Sequence, residues 1–186
     1  MVKIKVKIME VAYFEFPGKE NTEEALKIAK DYAEKNKINN IIVASTTGYT
    51  AQKAAEIFSN KNLIVVTHVT GFQEADEQQF PSELRKRLEE NGIHVITTAH
   101  AFGGVNKLVH GFGEIIANTL RMFSEGVKVA VEIAAMAADA GLVSTREDAI
   151  AIAGTGRGAD TVLLLRPANS KRLFELKIKR ILAKPE

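Results

Sequence analysis

Five short apolar runs recur along the chain, and each has the length of a β-strand. They occupy residues 40–45, 62–67, 93–99, 148–154 and 160–167. None of them alternates strictly between apolar and polar positions. Each therefore predicts a strand with both faces covered, as in a mostly parallel sheet that lies between two layers of helices.

Helical periodicity fills the segments between these runs. Apolar residues recur every three or four positions in residues 21–37, 50–60, 81–92, 114–123 and 126–143. Asn21 and Glu24 have the spacing of a capping box at the start of the first helix. Pro81 and Gly92 bracket the third, as expected for a short helix.

The helix predicted at residues 126–143 is the longest apolar stretch of the chain. Lys128, Glu132 and Asp139 interrupt it, which argues against a membrane span and favours a buried helix. An apolar helix of this kind, together with an edge-like C-terminal tail, suggests that the chain forms a homo-oligomer.

Both ends of the chain alternate lysine or arginine with apolar residues. Residues 1–8 predict a strand with one wet face and lack the apolar core of a signal peptide, and residues 173–184 predict an edge strand. The brief loops between the last strands indicate antiparallel pairing. The chain is therefore predicted to be one α/β domain spanning residues 1–186, a three-layer, doubly wound, mostly parallel sheet with an antiparallel C-terminal edge.

Composition narrows the possible partners. The 25 basic and 23 acidic residues give a net charge of +2, so neither nucleic acid nor a membrane is an expected partner. Cysteine is absent, which excludes disulfides, a thiolate nucleophile and cysteine-based zinc sites, and suits a cytoplasmic protein.

Hydroxyl residues and a glycine follow the first apolar run directly. The loop consists of Ser45, Thr46, Thr47, Gly48, Tyr49 and Thr50. A helix N-terminus carries unpaired N–H groups and the positive end of the helix dipole, so hydroxyls beside it favour an anion such as a phosphate monoester. Gly48 lets the backbone approach closely. The alternative is an ordinary helix cap by Ser45 or Thr47.

Two further strand ends are expected at the same cleft, because the carboxyl ends of parallel strands meet at one edge of the sheet. They are residues 67–72 and 99–106. Thr67, His68 and Thr70 are candidate ligand contacts. Tyr49, Phe72 and Phe102 are candidates to cover an aromatic ring, with a role in the core as the alternative for each.

The four histidines lack the spacing of a zinc site. His94 lies within an apolar run and is predicted to be packed, and His110 has no assigned role. His68 and His100 are the candidate proton-transfer groups near the predicted cleft. No metal site and no catalytic residue is assigned.

Two families resemble parts of this sequence. The segment "STTGYT" is similar to the phosphate loop of flavodoxins, which wraps the phosphate of flavin mononucleotide (FMN). A broader resemblance, over residues 38–69 and 134–165, is to the C-terminal α/β domain of pyruvate kinase, including its Ser/Thr-Gly loop and its later Gly-rich loop. Residues 70–124 depart from that pattern. In pyruvate kinases the two matching loops hold a phosphorylated sugar.

The second matching loop contains Gly154, Thr155, Gly156 and Arg157. It formally satisfies a relaxed dinucleotide-binding pattern, but a strand is predicted after it where that pattern requires a helix. Arg157 is a candidate to contact a phosphate or to pair with a flavin carbonyl. An exposed arginine in an ordinary connection is the alternative.

The resemblance implies a phospho-ligand cradle made from both loops. More narrowly, the sequence resembles archaeal and bacterial proteins built from this domain alone, for which FMN is the expected cofactor. The chain has no room for the barrel domain in which pyruvate kinase transfers phosphate, so it is not expected to be an active pyruvate kinase. A regulatory protein that binds a sugar phosphate is the alternative.

Overall fold

The computed structural model describes residue 8, residues 10–104 and residues 111–186, which form seven strands and five α-helices. The strands are β1 (Ala12–Phe14), β2 (Asn40–Ala44), β3 (Asn62–Val66), β4 (His94–Ile96), β5 (Ala149–Ala153), β6 (Thr161–Arg166) and β7 (Lys177–Pro185). The helices are α1 (Thr22–Asn36), α2 (Tyr49–Ile57), α3 (Ser82–Glu90), α4 (Phe112–Arg121) and α5 (Glu125–Asp139). Each of the five apolar runs and five helical patterns corresponds to one of these elements.

All seven strands belong to one sheet, in the order β1-β7-β6-β5-β2-β3-β4. The pairs β1/β7, β2/β5, β2/β3 and β3/β4 are parallel, while β6 runs antiparallel to both β5 and β7. The predicted α/β class, with mostly parallel pairing and antiparallel C-terminal strands, is confirmed.

The ends of the chain differ from the sequence-based expectation. The sequence did not predict β1, which pairs with residues 183–185 of β7, so only the first part of β7 lacks an outer neighbour among the described strands. The C-terminal tail is therefore an edge strand over part of its length only. The strand predicted at residues 1–8 lies outside the described residues, apart from Ile8.

Helices cover both faces of the sheet and define two apolar cores. Because side chains alternate along a strand, Ile41 and Val43 pack with α1, α2 and α3, whereas Ile42 packs with α4 and α5. The interior side chains of β5 divide in the same way. This arrangement confirms the three-layer prediction.

The predicted capping box at the start of α1 is absent. Asn21 has helical backbone angles, because a short 3-10 turn (Lys19–Asn21) leads directly into the helix, and its side-chain amide donates to the carbonyl of Phe16 at 2.8 Å. The next residue takes a different role: the Thr22 hydroxyl donates to the carbonyl of Lys19 at 2.6 Å.

Helix α5 is buried, as predicted. Ser124 caps it, with its hydroxyl accepting the N–H of Val127 at 3.0 Å. The apolar side chains of α5 pack against the sheet within the chain, so this helix gives no support to the expected self-association. No helix in the described part of the chain is both long and apolar enough to cross a bilayer.

Candidate functional site

A cavity of about 970 Å³ lies at the carboxyl ends of β2, β3 and β5, closed on one side by α4 and α5. Ten of the twelve residues proposed from sequence line it, namely Ser45, Thr46, Thr47, Tyr49, Thr50, Thr67, His68, Gly154, Gly156 and Arg157. Gly48 and Thr155 are not among the lining residues. The fold therefore brings both predicted loops, and residues Thr67 and His68 after β3, to one cavity.

The loop before α2 (residues 45–50) presents the N-terminus of that helix to the cavity. Gly48 is the N-cap residue, with φ +88°, a left-handed conformation that favours glycine. No side chain caps the helix at that position. The Ser45 hydroxyl accepts the N–H of Ala51 at 3.2 Å, so Ser45 has the structural role that was the alternative for it. Thr47 is exposed at the cavity and Thr50 is buried.

Three cations surround the ring of Tyr49. Lys19 Nζ lies 4.6 Å, Lys53 Nζ 5.5 Å and Arg157 Cζ 5.8 Å from the ring centre. Lys53 also pairs with Glu23 at 2.6 Å. Together with Tyr49, these three residues are called the cationic cluster below. Tyr49 and Arg157 line the cavity, whereas Lys19 and Lys53 do not. The cluster therefore adds cations beside the hydroxyl loop.

The sequence predicts the position of Lys53 in this cluster but not that of Lys19. Lys53 is four residues beyond Tyr49 on α2, so helical spacing alone places the two side chains together. Lys19 comes from a distant segment and has no local signal. Tyr49 itself was expected to cover an aromatic ring, whereas in the structure its ring lies among cations.

The glycine-rich loop between β5 and β6 is fixed by a buried carboxylate. Asp160 Oδ2 accepts the N–H groups of Gly18 at 3.1 Å and Thr155 at 3.0 Å, and Oδ1 accepts the Thr161 hydroxyl at 2.8 Å. The loop therefore joins the segment that carries Lys19. Asp160 was not predicted from sequence, because it appears there only as a polar residue before an apolar strand.

Close backbone packing strengthens this junction. The N–H of Ala159 donates to the Thr22 hydroxyl at 3.0 Å. Gly158 has φ +83°, and a Cβ there would lie 2.5 Å from the Cα of Lys19, so only glycine fits. Strand β6 follows the loop directly, which confirms that the dinucleotide-binding pattern does not apply.

Aromatic side chains form a second region of the cavity lining, called the inner end below. The rings of His68 and Phe72 are 4.2 Å apart, those of His68 and His100 are 5.2 Å apart, and those of Phe72 and His100 are 5.5 Å apart. Phe102 is a buried core residue that also lines the cavity. This end is thus suited to a flat, partly apolar group.

The Thr67 hydroxyl is already occupied by protein partners. It donates to the carbonyl of His68 at 3.0 Å and lies 2.6 Å from the hydroxyl of Thr97. Thr67 is 2% exposed, so its side chain holds the strand ends together. The exposed Thr70 accepts from Gln78 and is not among the lining residues.

A buried ion pair on α5 faces the same cavity. Lys128 Nζ lies 2.5 Å from Glu132 Oε2, and the two residues are 9% and 4% exposed. The other oxygen, Glu132 Oε1, accepts the N–H of Phe102 at 2.8 Å. The sequence showed both residues only as interruptions of an apolar helix, because the cavity they line forms through contacts distant in sequence.

The other histidines play no part in this arrangement. His94 is exposed on β4, so the prediction that it is packed is wrong. Strand β4 is the last strand of the described sheet and has a neighbouring strand on one side only, which leaves His94 accessible to solvent. His110 and residues 105–106 lie outside the described residues. In the described ranges, no group of three or more acidic or histidine side chains is arranged to hold a metal ion.

Burial lowers the pKa of both cavity histidines. For His68 the side chain of Gln79 and the charge of Glu132 oppose this shift, and Lys128 adds to it. For His100, Glu132 opposes the shift, whereas His68 and Lys128 add to it. Both imidazoles are therefore neutral at neutral pH.

These shifts predict a stability that falls with acidification. As the pH falls below about 6.5, the unfolded chain binds protons at both sites. The native protein binds them only below its lowered pKa values, so the free energy of unfolding decreases over this window. Urea unfolding at pH 7.5 and pH 5.5 should show a larger loss for wild type than for His68→Gln/His100→Gln. Equal losses would contradict this assignment.

The chain belongs to a known family, because the family described as pyruvate kinase, alpha/beta domain, matches residues 23–165. The chain is also similar to the crystal structure of a pyruvate kinase from Cryptosporidium parvum, with 17% sequence identity and a TM-score of 0.42. That match covers 77% of this chain and 22% of the pyruvate kinase chain. The family match confirms the resemblance to the C-terminal α/β domain of pyruvate kinase that was proposed from sequence.

Proposed function

We propose that the cavity binds a phosphorylated small molecule, FMN, with its phosphate at the N-terminus of α2. The observation that carries the proposal is the N-terminus of this helix, where Ser45 engages the N–H of Ala51, facing a cavity beside the cationic cluster. Helix N–H groups and nearby cations both stabilise a phosphate dianion.

The residues present fit the parts of FMN. Thr46, Thr47 and Thr50 supply hydroxyl donors at the phosphate end. The inner end supplies the rings of His68, Phe72 and His100. The volume is within the range of roughly 300–1,000 Å³ typical of small-molecule sites. A bound flavin would supply electron-transfer chemistry.

A regulatory sugar-phosphate site is the second candidate. The cationic cluster favours it, because Lys19 and Arg157 both place positive charge around Tyr49, whereas Lys53 is paired with Glu23. The aromatic inner end favours FMN instead, since a sugar gains little from Phe72 and the cavity histidines.

Absorbance and thermal shift separate the two candidates. If FMN is the ligand, protein mixed with FMN and desalted should retain a flavin band, and FMN should raise the melting temperature as expected for ligand binding to the native state. Fructose bisphosphate should then leave the melting temperature unchanged. A shift with the bisphosphate and none with FMN would instead support the regulatory role and contradict the flavin assignment.

A further inference from the structure

The buried ion pair at the inner end of the cavity has unused hydrogen-bonding capacity. A lysine ammonium carries three donors, and the structure gives Lys128 Nζ one acceptor among the described residues, Glu132 Oε2. Both oxygens of Glu132 are engaged, one with Lys128 and one with the N–H of Phe102. The pair is therefore oriented so that the ammonium, rather than the carboxylate, is available to a ligand.

Burying this ion pair costs desolvation free energy, so its presence calls for a function other than stability. The effective desolvation penalty is several kcal/mol per ion, and apolar residues often serve stability equally well. Lys128 and Glu132 occupy the side of α5 that lines the cavity, whereas other α5 residues at comparable depth, such as Ala134, are apolar. The placement of a cation at that wall points to a ligand group rich in acceptors.

We propose that Lys128, held in place by Glu132, donates a hydrogen bond to the nitrogen and carbonyl edge of a bound flavin ring and makes that flavin easier to reduce. This inference rests on the proposed function. A bound flavin would supply reduction by two electrons and one proton, which would leave negative charge on the ring. A fixed ammonium beside the ring stabilises the anionic form more than the neutral oxidised form. Lys128 is thus a tuning residue that acts through its charge and its hydrogen bond.

The test is the reduction potential of the bound flavin. The FMN-loaded protein is titrated with dithionite, which supplies the electrons, beside a dye of known potential. Lys128→Met/Glu132→Gln removes both charges and avoids a lone buried carboxylate, while the new amide oxygen still accepts the N–H of Phe102. Its preference for reduced over oxidised flavin should fall at least tenfold, which for a two-electron couple is a decrease of about 30 mV.

Two further variants make the result specific. Glu132→Gln leaves Lys128 without its counter-charge and should raise the potential above that of the wild type. Lys27→Met removes an exposed lysine on α1, which is not among the lining residues of the cavity, and should leave the potential unchanged.

The outcomes separate this inference from the proposed function. If wild type and variants bind FMN stoichiometrically and the double variant keeps the wild-type potential, the role of Lys128 is wrong and the FMN site stands. If Glu132→Gln lowers the potential, the role is also wrong. If the wild type does not bind FMN at all, both the proposed function and this inference fail.

Discussion

Replacing Asp160 by alanine is expected to lower the free energy of unfolding by about 3–4 kcal/mol. The side chain is fully buried and accepts hydrogen bonds from the N–H groups of Gly18 and Thr155 and from the Thr161 hydroxyl. Alanine leaves all three donors without this acceptor, and each hydrogen bond to a charged group contributes about 1.5–3 kcal/mol. The loss stays below their sum because the substitution also removes the cost of burying the carboxylate. Urea unfolding monitored by circular dichroism measures the change.

Asp160→Asn is the matched control, because it keeps the shape and one carbonyl oxygen. It is expected to lose about 1–2 kcal/mol, since hydrogen bonds to a neutral acceptor are roughly half as strong. The alanine variant should also bind FMN more weakly than the asparagine variant, because the carboxylate joins the glycine-rich loop to the segment carrying Lys19. Wild-type stability in Asp160→Ala would show that this junction is unimportant.

The double substitution Thr47→Val/Thr50→Val is expected to weaken FMN binding by at least about tenfold while leaving the fold intact. Valine keeps the shape of threonine and removes the hydroxyl donor. Each lost hydrogen bond to the charged phosphate is worth about 1.5–3 kcal/mol, and about 1.4 kcal/mol is tenfold in affinity. Titration calorimetry measures the affinity, and circular dichroism checks the fold.

Thr145→Val is the control for this experiment. Thr145 is exposed before β5, at the edge of the sheet opposite the cavity, so the same chemical change should leave FMN affinity unaltered. Riboflavin lacks the phosphate, and its weaker binding should not respond to the double substitution. If the double variant retained wild-type FMN affinity, the phosphate would not lie at this loop.

Much of the fold follows from local sequence. The strands β2, β3 and β5 are apolar on both faces because helices cover the sheet on both sides, and this pattern is readable directly. Once parallel strands are inferred, their carboxyl ends must share one edge. The convergence of residues 45–50 and 154–157 on one cavity was therefore predictable without coordinates.

The parts that escaped prediction depend on contacts between distant segments. Strand β1 has three residues, which are too few to show the alternation of apolar and polar residues. It forms because it pairs with β7. Lys19 lies beside Tyr49, and its neighbour Gly18 donates to Asp160, a contact 142 residues apart in the chain. In the sequence, Lys128 is only a charged residue within an apolar helix, because the cavity that it lines forms from distant segments.

The most direct test of the central claim, that a phosphate monoester binds at the N-terminus of α2, compares FMN and riboflavin as ligands of the wild-type protein. The two molecules share the ring and differ by the phosphate, so the ratio of their dissociation constants reports the phosphate contribution. At least two hydrogen bonds to the phosphate predict that FMN binds about 100-fold more tightly than riboflavin. Equal affinities for the two molecules would contradict the account.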